Sequence, residues 1–214
     1  MMKRFDVRAI GGILLIIVGI LLLLQNLGIF EVLVALIWAL IFAAAGLVFL
    51  YVFLTNQRTN WWAIIPGFAL LGVAALIALD EFFPRVGDAL GGAIFLGGIG
   101  LAFWVIYFLH RQHWWAAIPG GVMFTLALVT VASYALGGDW AGGVFFLGLG
   151  ATFGLLYFVP TPHGRMKWAL IPAAVLLVMG VLVTAVATGG LAFLGGAILI
   201  LIGLYFLFRM FRAR

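Results

Sequence analysis

The chain is a succession of apolar runs, each long enough to cross a bilayer and parted from the next by a few polar residues. A helical span of the hydrocarbon core takes roughly 20 apolar residues. Runs of that order fall at 9–28, 31–55, 62–79, 87–109, 114–136, 140–159, 168–188 and 190–209. The pattern predicts an all-α integral membrane protein with eight transmembrane helices in one membrane domain over residues 1–214. Composition agrees, with 67% of residues hydrophobic and 8% charged, against about half and about a quarter in soluble domains. Eight spans use about 160 residues. The remainder is too short for an extramembrane catalytic domain, an ATPase module, a periplasmic binding domain or a DNA-binding head.

The breaks carry turn-forming residues: Asn56-Gln57-Arg58, Pro84-Arg85-Val86-Gly87-Asp88, Gly137-Gly138-Asp139, Pro160-Thr161-Pro162-His163-Gly164 and Gly189-Gly190. If alternate breaks lie on opposite sides, Lys3, Arg4, Arg8, Arg58, Arg111, Arg165, Lys167, Arg209, Arg212 and Arg214 share one face, leaving Arg85 on the other. The positive-inside rule makes that face cytoplasmic, with both termini inside. Five of the six acids, Glu31, Asp80, Glu81, Asp88 and Asp139, fall on the outer face. The net charge of +5 is therefore read as a topology signal and a contact for anionic lipid headgroups, not as a nucleic-acid site. The first apolar run exceeds a signal-peptide h-region and has no small-x-small site before Gln25, so it is read as an uncleaved span.

An internal repeat organises the runs. Trp61-Trp62-Ala63-Ile64-Ile65-Pro66, Trp114-Trp115-Ala116-Ala117-Ile118-Pro119 and Lys167-Trp168-Ala169-Leu170-Ile171-Pro172 place their prolines 53 residues apart each time. The second helix of each unit echoes as well, at Gly91-Gly92-Ala93, Gly142-Gly143-Val144 and Gly195-Gly196-Ala197. Stepping back 53 residues from Pro66 lands on Ile13, so the first hairpin reads as a divergent fourth copy. The units are 8–59, 60–112, 113–165 and 166–214. A two-span unit returns the chain to its starting side, so the copies are parallel repeats about an axis along the membrane normal. The hairpins can close as a pseudo-fourfold ring or lie in a row, which local periodicity does not decide; a compact bundle is expected, because closure shields the small-residue faces at both ends of the array.

Trp61, Trp62, Trp114, Trp115 and Trp168 are placed to anchor the helices at headgroup depth. Pro66, Pro119 and Pro172 either sit in a first helical turn or kink three hairpins alike. Gly91, Gly92, Gly97, Gly142, Gly143, Gly150, Gly154, Gly195 and Gly196 make the even helices the expected close-packing faces, Gly150 and Gly154 forming a GxxxG pair.

No ionisable residue falls mid-span, which disfavours a coupled ion transporter. His110, His113 and His163 lie at helix ends or in loops and are read as solvated, with no haem or zinc role; no Cys is present. No catalytic residue, metal ligand or cofactor is assigned. Asp80, Glu81, Asp88 and Asp139 form the one polar cluster that could converge, as an outer recognition patch for a cationic partner. The lipid bilayer and another membrane protein are the expected partners.

Gly11-Gly12-Ile13-Leu14-Leu15-Ile16-Ile17-Val18-Gly19-Ile20, running into Leu24-Gln25-Asn26-Leu27-Gly28-Ile29, resembles the transmembrane region of bacterial LiaI/LiaF-like membrane proteins over residues 8–55. A weaker similarity is to the Gly-rich, multi-span HdeD-like family associated with acid resistance. LiaF-type proteins regulate an envelope-stress sensor kinase and carry a soluble C-terminal domain that has no counterpart here. The resemblance implies a non-enzymatic protein of the bacterial inner membrane, a regulator or an accessory or scaffold subunit. The alternative is a passive channel or small-molecule transporter around a pseudo-fourfold axis.

The topology predicts that Asp139→Cys and Arg165→Cys, introduced singly into this cysteine-free chain, react with a membrane-impermeant maleimide from opposite sides. Labelling from the same side would overturn the eight-span arrangement.

Overall fold

A computed structural model describes residues 12–13, 15–20, 23, 31–159, 165–190 and 200. Residues 15–20 are helical (α1). They are followed by α2 (Glu31–Thr55), α3 (Ile64–Phe82), α4 (Pro84–Leu109), α5 (Ala117–Leu136), α6 (Asp139–Leu156) and α7 (Leu170–Ala187). Six helices are long and apolar enough to cross a membrane, as in a multi-pass membrane protein. Most of the expected spans at 9–28 and 190–209 lies outside the described residues, as do Gly195 and Gly196.

Helix boundaries follow local chemistry. The break expected across Pro84–Asp88 shrinks to Phe83, and α4 starts at Pro84. Proline suits the first helical position, where no N–H is needed and its fixed φ is already helical. The connection from α5 to α6 is Gly137-Gly138, with Gly137 at φ 96°, a backbone conformation that glycine adopts without a Cβ clash. These two tight connections lie at one end of the array. The turns that precede α3, α5 and α7 lie at the other, called here the turn end.

The extensive helix–helix contacts join chain neighbours only: α2 with α3, α3 with α4, α4 with α5, α5 with α6 and α6 with α7. Among the described helices this is a serial array, in contrast to the expected bundle closed on itself. Lipid solvates Leu as well as another helix does, so apolarity alone draws no span onto a distant one. Helices gain instead from close backbone approach and van der Waals fit.

That fit has one form at all five interfaces. Leu71 fills the space beside Gly46, and Leu50 that beside Gly67. Phe95 lies against Gly72 and Leu76 against Gly91; Phe124 lies against Gly100 and Trp104 against Gly120. Thr152 covers Gly121 and Thr125 covers Gly148, while Thr184 covers Gly143 and Leu147 covers Gly180. In each case the large residue stands four positions after a glycine of its own helix. Each antiparallel pair thus exchanges two knobs for two gaps, since residues four apart share a helix face.

The threonines serve this packing without leaving a polar group unpaired. The Oγ1 groups of Thr125, Thr152 and Thr184 donate to the carbonyls of Gly121, Gly148 and Gly180, at 2.9, 2.9 and 2.7 Å. These bonds stay within one helix and free the remainder of the side chain to pack against the neighbour. Gly150 also packs closely, against Leu177. By contrast, a Cβ at Gly97 or Gly154 would meet nothing within 4 Å, so neither lies in a contact between described helices. Gly92 faces Thr130, and Gly142 faces Val183. The odd helices contribute as much as the even ones, through Gly67, Gly72, Gly120, Gly121 and Gly180.

Gly121→Val should therefore lower stability by about 1–3 kcal/mol, because its side chain competes with Thr152 for one space. Gly97→Ala and Gly154→Ala should leave the melting temperature in detergent unchanged. Equal losses in all three variants would contradict the interlock.

Candidate functional site

A cluster of buried apolar side chains lies at the turn end and draws on α2 to α6 and on the turn before α7. It is organised by three turns of 3-10 helix, Trp61–Ala63, Trp114–Ala116 and Lys167–Ala169, each leading directly into an α-helix. Pro66, Pro119 and Pro172 are the third residues of those helices. Each stands four residues after Trp62, Trp115 or Trp168 and has no N–H to offer that carbonyl. The chain before it winds more tightly instead, with Ala63, Ala116 and Ala169 donating to the carbonyls of Asn60, His113 and Met166 at 3.0, 3.0 and 3.1 Å. Of the two roles considered for the prolines, the first-turn one describes their position.

The three alanines are fully buried. The tryptophans that precede them turn outward: Trp62, Trp115 and Trp168 are 48, 36 and 51% exposed. Each meets a phenylalanine of the preceding helix edge to face: Phe49–Trp62 at 6.1 Å, Phe103–Trp115 at 6.3 Å and Phe153–Trp168 at 6.2 Å. Such pairs contribute about 0.5–1.5 kcal/mol beyond the area they bury, and here they clamp each helix pair at its mouth.

The first two turns also touch each other. Trp61 lies against the His113 ring at 4.7 Å with a 35° tilt, and against Trp115 at 5.8 Å. His110 stands 5.7 Å from His113. The histidines depart from the expected solvated state: Nδ1 of both is buried without a hydrogen-bond partner. Burial, and then the charge of His110, lowers the pKa of His113. Beside them Arg111 stacks its guanidinium over Tyr107 at 4.5 Å and Phe108 at 5.2 Å. Arg165 makes a longer contact with Tyr157, at 5.7 Å. Lys167 occupies the position that Trp61 and Trp114 hold in the other turns.

The described acidic residues are at the opposite end. Asp80 and Asp88 line a hollow of about 290 Å³ with Leu76, Ile77 and Gly87. Glu81 and Asp139 are not in its wall, and Asp139 opens α6 beyond the next connection. The structure thus brings two of the four acids together.

The assembly of Trp61, His110, Arg111 and His113 was not foreseen from sequence. Its one local signal is the Tyr107-x-x-x-Arg111 spacing at a helix end, which puts a guanidinium within reach of an aromatic face.

The unfolded chain protonates the His113 ring near its ordinary value of 6.5, and the folded protein does so only at lower pH. Its contribution to stability is therefore complete above 6.5 and is lost as pH falls through the folded value. Thermal unfolding between about pH 7.5 and 5 should show this loss in the wild type and a smaller one in His113→Phe. Identical pH profiles would contradict the burial of His113.

Comparison with known proteins gave no matching family model, no matching curated protein and no matching solved structure.

Proposed function

We propose that the protein is a non-enzymatic subunit of the bacterial cytoplasmic membrane, a regulator or scaffold that works through lateral helix faces and short loops. The carrying observation is the serial array: described helices pack extensively only on chain neighbours, leaving each with a lateral stripe free of them. On α4 that stripe includes Leu90, Ile94, Leu101 and Phe108, all exposed and at helical spacing. A pore would require the helices to close around an axis, and contacts confined to chain neighbours favour the scaffold over that alternative. The resemblance of residues 8–55 to LiaI/LiaF-like regions points the same way.

The reading includes eight spans in four parallel hairpins, with both termini cytoplasmic. Two features support the repeat. The Phe–Trp pair recurs at all three turns with interplanar angles of 76, 76 and 72°. The Gly72–Phe95 contact also recurs 53 residues later as Thr125–Gly148. Small and large residues have changed places there while the contact is kept.

Affinity purification in mild detergent from native membranes, with cross-linking and mass spectrometry, tests the role. A stoichiometric membrane partner is expected, with cross-links to the α4 stripe. A partner-free oligomer that conducts solutes in liposomes would overturn the scaffold reading in favour of a channel.

A further inference from the structure

The loop from His110 to His113 ends α4 with a set of groups that can donate hydrogen bonds, and no carboxylate among the described residues stands beside it. Nδ1 of His110 and of His113 is sealed from solvent with no partner. A proton there would be a buried N–H with no acceptor, which folded proteins avoid more strictly than an unpaired acceptor. Each neutral ring is therefore the tautomer protonated on Nε2, the nitrogen left to meet an outside partner. Arg111, between them in sequence, is exposed, with its guanidinium carbon 4.5 Å from the centre of the Tyr107 ring and 5.2 Å from that of Phe108. This stacking orients the guanidinium fork in advance and leaves its N–H edge to bind. Gln112 is exposed beside it and supplies a side-chain amide.

Among the described residues, every acid is at the far end of the helices. Asp88, on the same helix as the loop, is about 35 Å from Arg111 at the helical rise. The guanidinium thus stands unneutralised by any described carboxylate, in a loop between two spans where headgroups lie. Exposed Phe108 and Trp115 flank it and offer apolar surface to the acyl region.

We propose that the His110–His113 loop binds the phosphate of an anionic phospholipid headgroup. Arg111 supplies the charge and a bidentate contact, and the two imidazole Nε2–H groups supply neutral donors. A set of donors with one fixed cation matches a group that only accepts, as a phosphodiester does. The flanking aromatics select a lipid over free phosphate. Arg58, in the preceding turn-end loop, is equally exposed but is not stacked on an aromatic ring among the described residues. It serves as the control for surface charge alone.

The full-length protein in mild detergent, titrated with phosphatidylglycerol against phosphatidylcholine and followed by native mass spectrometry at pH 7.5, tests the site. The wild type should retain one phosphatidylglycerol in preference to phosphatidylcholine. Arg111→Gln should weaken that preference about fivefold or more, whereas Arg58→Gln should leave it. Should Arg111→Gln fail to fold, Arg111→Lys, which keeps the charge and loses the planar fork, should still bind more weakly than wild type. Unchanged retention in the Arg111 variant, or equal loss in the Arg111 and Arg58 variants, would overturn the proposal. Displacement of the lipid by millimolar inorganic phosphate would also overturn it, identifying a free-phosphate site instead.

Discussion

Close approach of backbones is the interaction on which the array depends. In water a helix finds its neighbour by burying apolar surface, but among lipid chains that gain disappears and only fit is left. A glycine with a large residue four positions later, set against the same pattern running the other way, gives each helix pair two knobs and two gaps. Gly46 and Leu50 against Gly67 and Leu71 show it with leucine, and Gly121 and Thr125 against Gly148 and Thr152 show it with threonine. The side chain differs while the geometry does not. The threonine hydroxyls fit because a carbonyl one turn back accepts each of them.

The turn end adds a second tie between the pairs. Extensive contacts along the described helices join only chain neighbours, and the cluster around Ala63, Ala116 and Ala169 brings together turns that are far apart in sequence. A proline just inside each helix tightens the preceding turn, and that turn places one tryptophan edge-on to a phenylalanine. The contact of Trp61 with His113 then joins the first turn to the second. In the third turn Met166 stands 53 positions after His113, so that turn lacks the imidazole that would repeat this link with Trp114.

Much of this was legible in the chain, and the rest has identifiable causes. The six described spans fall where hydropathy put them, because long apolar runs leave little freedom. The start of α4 at Pro84 was misjudged because a proline beside charged residues reads as a break, although the first helical position accepts both. Gly97 and Gly154 looked like packing positions by spacing within one helix. Whether a glycine matters depends on what stands four residues away on the partner, and no single-helix motif contains that. The histidines read as solvated because they are polar and lie in a loop. The ring of His113 is covered by Trp61, some fifty positions earlier, and no local pattern announces it.

Contacts confined to neighbours in sequence also govern how such a chain can be made. Each described helix finds its extensive helix–helix contact with its immediate predecessor, so that docking step waits for no distant segment. Low sequence separation between partners keeps the entropic cost of each docking step small. The polypeptide can leave the ribosome and enter the bilayer in an order that matches the order of its contacts, completing one interface before the next helix arrives.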